Sequence, residues 1–356
     1  MQRFVCDCGN VLFFESSRCL QCGEEVGYDP DAQKMVVIRP GGWGQRCGNG
    51  VQYGICNWVV PANGAAAEKA ALCFSCSLNR KIPNLKEERN VRLWGRMEGA
   101  KRRLVYSLLR MGIPLASKVM DAQSGLAFDI VSAQAQPGVT MGHLNGVITV
   151  NLDEADDTYR QINREQLGES TRTLLGHFRH EIGHYFWQRW MSEAAWDDPQ
   201  RLAFRERFGD EWRDYGAALS WHYQFGAPQD WADQFISGYA ASHPWEDWAE
   251  TWAHYLQILE GSETFEGLGL ETKRIALPVV NFPVEAGQLP NSLPQDEKAD
   301  KAFVTWLQGW VSLSTVLNET SLSLGQPAVY PFVISTKVAQ KLRLVDHLAK
   351  VWAAGK

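Results

Sequence analysis

Residues 180–184 are His-Glu-Ile-Gly-His. On an α-helix, positions four apart lie about 40° apart around the axis and one turn apart along it. His180 and His184 can therefore aim imidazole nitrogens at one point. Neutral imidazole at that separation suits Zn²⁺ at about 2.0–2.1 Å. Glu181 projects beside the histidines, where a base for an activated water would have to stand. The pattern HExxH points to metal-assisted hydrolysis. Such a zinc needs a third protein ligand and an open fourth position. The stretch Ser242–His254, SHPWEDWAETWAH, offers the ligand. Glu246 and Glu250 share one helical face, and His254 continues it. The spacing predicts Glu246 on the metal. Glu250 then stands behind it, accepting a hydrogen bond from the non-ligating nitrogen of a bound histidine. The reverse assignment stays open. Paired glutamates on a helix are commonly a solvated face, but these are interleaved with Trp245, Trp248, Trp252 and Tyr255. A buried carboxylate needs a metal, proton or cation partner.

All eight cysteines precede residue 77, and they fall into two fours. Cys19-Leu-Gln-Cys22-Gly23 has the form of a zinc knuckle, and Cys6-Asp-Cys8-Gly9 is a shortened version. Together they predict a four-thiolate structural zinc. Cys73-Phe-Ser-Cys76 is a second knuckle pair, and with Cys47 and Cys56 it predicts a second structural zinc. One zinc plus four buried free thiols is the plainer alternative. Pairing across the two sets is not settled by spacing. About ninety glycine-rich residues bury too little apolar surface to fold unaided, and zinc would supply the missing energy.

The elements that must carry these groups follow from periodicity and breakers. Residues 91–111 read as a helix, with Leu93, Trp94, Met97, Leu104 and Leu108 as its apolar stripe and Gly112 and Pro114 ending it. Its Arg92, Arg96, Lys101, Arg102, Arg103 and Arg110 read as a solvated face. Residues 128–133 and 146–152 read as strands. The His180 helix is expected over 170–191, with Leu174, Phe178, Ile182 and Phe186 on one side. Gly183, costly in a helix, points to close packing or metal access. Residues 200–240 look helical with turns at Gly209 and Gly226. Further helices are expected over 244–261, with Pro244 in its first turn, and near 298–318 and 335–353. The polar segment 77–90 is the natural boundary. Three regions result: 1–85, with two four-cysteine zincs; 90–260, holding the histidines; and 261–356, a helical region packing on the core. The chain has 356 residues, a net charge of −6 and 45% hydrophobic content. It contains no apolar run of membrane-spanning length. Residues 1–90 carry 10 Lys/Arg against 9 Asp/Glu, a poor footprint for nucleic acid. Clustered thiols of this kind, without a recognisable leader, point to the cytoplasm.

His180–His184 followed by Glu246 and Glu250 resembles the gluzincin metallopeptidases, and Glu246-Asp-Trp-Ala-Glu250 looks like the variant seen in lethal-factor-like zincins. More closely, the chain resembles the bacterial family in which a zinc-ribbon domain precedes a zinc-binding metallopeptidase domain. The resembling stretches include CDCGN, Cys19–Gly23, Gly142–Gly146, Arg172–Tyr185 and His243–Tyr255, spread across most of residues 1–256. The resemblance implies an α+β fold: a mostly helical zincin-like catalytic domain behind a small β zinc-ribbon module. It implies one catalytic zinc beside the two structural ones, with Glu181 as general base. In lethal-factor-like enzymes a tyrosine seven residues before the glutamate ligand steadies the oxyanion. Tyr239 stands at that offset, with His243 as its rival. By analogy with zincins, the strand 146–152 would be the edge on which an extended peptide lies. Asn151 at its end reads as a turn cap and His177 as a structural histidine. The expected substrate is a protein or peptide, and the ribbon would recruit substrate or a protein partner. The competing possibility is a non-enzymatic, zinc-stabilised adaptor for protein or RNA, its HExxH site purely structural.

Overall fold

The computed structural model describes all residues except 63–70, 168–172, 276, 278–280 and 356. The chain divides into two compact units, Met1–Glu181 and Ile182–Lys356. The first unit begins with three small antiparallel ladders: β1 (Phe4–Val5) with β2 (Val11–Leu12), β3 (Val26–Asp29) with β4 (Lys34–Val37), and β5 (Gly44–Arg46) with β6 (Val59–Pro61). The short helix α1 (Gly48–Tyr53) lies between β5 and β6, and α2 (Phe74–Ser77) leads into β7 (Asn79–Lys81). An aromatic cluster of Phe4, Phe14, Tyr28, Trp58 and Tyr106, all buried, gives this small region its core. Tyr106 comes from α3 (Glu88–Arg110), whose expected stripe of Leu93, Trp94, Met97, Leu104 and Leu108 is buried throughout.

The basic face of α3 departs from expectation, because it is not simply solvated. Lys101 is fully buried against Glu98 at 2.9 Å. Arg102 donates to the Ile55 carbonyl, Arg103 pairs with Glu15, and Arg96 pairs with Asp157 at 3.0 Å. Protein groups replace water around the buried Lys101 and Arg102, whereas Arg96 and Arg103 pair with carboxylates while still partly exposed.

The sheet that follows has the order β7-β8-β10-β9, with β8 at Ala127–Val131, β9 at Gly142–Leu144 and β10 at Val147–Asn151. β7 and β10 run parallel to β8, and β9 is antiparallel to β10. The expected edge strand is therefore interior. Asn145 (φ 49°) and Gly146 (φ 76°) form a two-residue turn that folds β9 back onto β10. Both residues need positive φ, as a tight hairpin turn of this kind requires. The edge belongs to β9. Asn151 caps the next turn by accepting the Asp153 N–H at 3.0 Å, as expected. Helix α4 (Asp157–Leu167) follows, and α5 (Leu174–Met191) crosses from the first unit into the second. Of the helix expected from 170, residues 170–172 lie outside the described residues.

The second unit continues with α6 (Pro199–Phe208), α7 (Tyr215–Phe225), α8 (Pro244–Gly267), α9 (Glu297–Ser323) and α10 (Thr336–Ala353). Side-chain caps start them: Asp198 for α6, Asp214 for α7, His243 for α8, Asp296 for α9 and Ser335 for α10. Each accepts an otherwise orphaned N–H of the first turn. Gly209 and Gly226 close α6 and α7 where the sequence places turns. Phe186, Trp190, Trp248, Trp252 and Trp352 pack as one aromatic cluster at centroid spacings of 3.7 to 6.1 Å. Among the described residues no helix is long and apolar enough to cross a membrane.

Candidate metal centre

Helix α5 buries Phe178, Ile182 and Phe186 completely, which fixes its rotation. His180, half-buried, and His184, buried, then lie one turn apart on another face, with Glu181 only 7% exposed beside them. Helix α8 supplies the third group from its first turn. His243 caps it: Nδ1 accepts the Trp245 N–H at 3.0 Å, and Nε2 lies 3.0 Å from the Arg213 carbonyl. Both bonds are satisfied by the neutral ring with its proton on Nε2, and burial lowers the His243 pKa to match. Glu246 follows, 1% exposed.

One donor atom each from His180, His184 and Glu246 lies within 4.8 Å of the others. His184 Nε2 is 3.5 Å from Glu246 Oε2. A tetrahedron with bonds of about 2.0–2.1 Å has edges of about 3.3–3.4 Å. Two imidazoles and a carboxylate at this spacing suit zinc. Glu250, one turn along α8, accepts the Ser237 hydroxyl at 2.7 Å and is absent from this grouping.

The two helices must approach closely to bring these groups together. A Cβ on Gly183 would stand 3.0 Å from Ala249 Cα and 3.1 Å from Trp252 Cβ. The Trp248 indole N–H crosses the same contact to the Gly183 carbonyl at 2.9 Å. Glycine here is a spacer, which accounts for a residue otherwise costly in a helix. The His184 ring packs on Trp245 at 4.4 Å. Asp247, fully buried, is paired with Lys341 at 2.6 Å; burial outweighs that cation and pushes the carboxyl up to about 7.

Tyr239 sits in the turn before α8, half-buried. Burial first, and then the Glu246 charge, push its hydroxyl pKa far up, so it stays protonated and able to donate. The His222 ring meets it edge-on at 5.7 Å. A residue absent from the sequence-based expectation is Tyr215, whose hydroxyl donates to Glu246 Oε1 at 2.8 Å. It lies 31 residues upstream at the start of another helix, and no periodicity links it to the motif. His177 Nδ1 lies 3.8 Å from Glu154 Oε2, a pairing within the first unit.

The cysteines group as 6/8/19/22 and 47/56/73/76, uncrossed. Sulfur–sulfur distances are 3.7 Å for Cys6–Cys22, 3.6 Å for Cys8–Cys19 and 3.7 Å for Cys56–Cys73. A zinc–thiolate tetrahedron with bonds of about 2.3 Å has edges of about 3.8 Å, so both groups suit the ion. Gly23 at φ 77° lets the chain turn under Cys19. The Cys22 backbone N–H leads the interactions that lower the Cys19 thiol pKa, while those of its neighbours Cys6 and Cys22 are raised, so the negative charge of the group rests first on Cys19. The groups differ in setting. Cys8 and Cys22 are exposed, whereas all four cysteines of the second group are buried. Beneath the second, Cys76 lies 3.8 Å from Glu98. Trp94 and Asn79 both donate to that carboxylate, and Lys101 pairs with it.

An N-terminal zinc-ribbon region and a mostly helical domain in which two histidines and a glutamate could hold a metal define the class, and zinc is the cofactor. Residues 3–87 match the model of a zinc-ribbon domain. Residues 90–348 match the family described as "Putative zinc-binding metallo-peptidase", and the chain belongs to that family. It is 39% identical over 348 residues to the uncharacterized proteins Mb2598c of Mycobacterium bovis and Rv2568c of Mycobacterium tuberculosis. The alignment covers 97% of this chain and 94% of each relative. No solved structure matches the chain.

Proposed function

We propose that the protein hydrolyses peptide bonds at the centre formed by His180, His184 and Glu246. The observation that carries this is the convergence of those donors within 4.8 Å, with the buried Glu181 adjacent in sequence to His180. A purely structural zinc does not need that carboxylate. Zinc bound there would acidify water and polarise the scissile carbonyl. Glu181 takes the proton of the attacking water and passes it to the leaving amine. Tyr239, in the turn that leads into α8, donates to the carbonyl oxygen as that oxygen gains charge. Glu250, fixed by Ser237, stands behind the ligands and restrains the first turns of α8. The two sulfur sites are structural, and the ribbon recruits a protein substrate or partner. Eight free thiols arranged for metal support a reducing compartment such as the cytoplasm.

Glu181→Gln is the test. The variant should keep three zincs per chain and its melting temperature while losing hydrolysis. Its substrates would be found by N-terminal labelling of cleaved proteins, comparing wild-type cells with cells carrying the variant. Cleavage that persists in the variant defeats the proposal. Partner binding as the sole activity, unchanged by the substitution, would favour the adaptor.

A further inference from the structure

The two oxygens of Glu246 are used differently. Oε2 faces His184 Nε2 at 3.5 Å, while Oε1 accepts the Tyr215 hydroxyl at 2.8 Å. We propose that Tyr215 is a positioning residue that restricts Glu246 to one-oxygen coordination and so keeps a place on the metal open. The proposal rests on the metal-centre reading given above. A carboxylate that turns both oxygens toward zinc fills two positions, and with two histidines the coordination shell closes. A catalytic zinc needs the fourth place for water or substrate. An O–H···O⁻ bond is among the stronger hydrogen bonds, and it competes directly with rotation of Oε1 toward the ion.

The donor is held in place from several sides. The Tyr215 ring stands edge-on to His243 at 5.2 Å and 83°, and to Trp245 at 5.7 Å and 74°. His243 in turn binds the carbonyl of Arg213, two residues before the tyrosine. Asp214 between them accepts the Ala217 N–H and starts α7 at this point. The approach to α8 is thus pinned by a backbone carbonyl and a phenol, with the helix start set between. Tyr215 is 39% exposed as a residue, so burial does not account for its orientation; its hydroxyl contact and ring neighbours do.

Tyr215→Phe removes the hydroxyl and leaves the ring. The full-length protein is loaded with zinc, the ion at the nitrogen–oxygen centre is withdrawn with a mild chelator, and cobalt(II) is put in its place while the sulfur sites keep zinc. Two quantities are read: metal affinity by chelator competition, and the intensity of the cobalt ligand-field bands, which falls as coordination rises above four. The expected result is weaker bands as Oε1 turns to the metal; affinity is read alongside, since lost orientation of Glu246 lowers it and a gained second oxygen raises it. Unchanged bands in a variant that binds metal overturn the proposal, whatever the affinity. A lower melting temperature with unchanged bands also overturns it, because a merely structural role predicts that outcome. The underlying reading is tested separately with His184→Ala: if zinc content stays at three per chain, the third zinc is not held by His184 and that reading fails instead.

Discussion

Gly183→Ala sets helix propensity directly against helix spacing. In an exposed helix interior the change would stabilise by about 1 kcal/mol. Here the added methyl would meet the backbone of the neighbouring helix, 3.0 Å from Ala249 Cα, and also Trp252 Cβ at 3.1 Å. Backbone cannot swing aside as a flexible side chain does. Relief therefore requires α5 and α8 to separate by a few tenths of an ångström, and overpacking of this sort costs about 1–3 kcal/mol. Propensity and strain nearly offset, so global stability should fall by no more than about 2 kcal/mol. Zinc affinity has no such compensation. Gly183 directly precedes His184, and Ala249 lies one turn beyond Glu246. A shift of a few tenths of an ångström matches the roughly 0.2 Å tolerance of a metal site. About 1.4 kcal/mol of strain drawn from the ligand set corresponds to a tenfold loss of affinity. The assay pairs chelator competition for the nitrogen–oxygen centre with denaturant unfolding of the same preparation. A variant that gains stability and binds zinc as tightly as the parent would refute the claim that glycine spaces these helices.

The two sulfur groups should surrender zinc at different rates to a thiol-reactive mercurial, the exposed Cys8/Cys22 group first and the buried group slowly. Cys22→Ser should abolish the fast phase in a zinc-release trace; loss of the slow phase would contradict the assignment. Lys341→Met should destabilise by about 3 kcal/mol, the low end for breaking a buried pair, because Asp247 can take up a proton instead. The sign with pH follows from a folded-state pKa raised above the ordinary 3.8: stability is present below that value and lost as pH rises through about 7. Losing the cation raises it further. The variant's deficit in urea unfolding should be larger at pH 8 than at pH 6, and a deficit independent of pH would count against the pairing.

The metal centre was readable because its geometry is local. Four-residue spacing on one helix fixes His180 and His184 relative to each other whatever else the chain does. Glu246 was readable through its setting, a carboxylate among tryptophans. The four-and-four grouping of cysteines follows chain order, and the structure adds only that the sets do not cross. Long-range pairing was less legible. β7 is three residues long, polar and inside a segment that reads as a linker, yet it joins β8 in the sheet. The hairpin that makes β9 the edge carried a signal, the Asn145-Gly146 dipeptide, whose turn preference outweighs the apolar run after it. Lys101 and Arg102 looked solvated because charge on a helix says nothing of what will cover it. Glu98 three residues earlier was the one local hint, since it pairs with Lys101. Tyr215 had no such hint: its role depends on where α8 begins, which only the folded chain reveals.

The buried cysteine group bears on more than its own neighbourhood. Cys76 is followed at once by Ser77 and Leu78 and then by β7, so a chain made without enough zinc would lose the anchor that delivers this strand. β8 would then become the sheet margin. Its sequence, AFDIV, is apolar and β-prone except for Asp129, whose partners Arg80 and Lys81 belong to β7, so the new margin would expose apolar strand and an unpaired carboxylate together. Zinc starvation would on this basis disturb the sheet beside the buried cysteine group as well as that group itself.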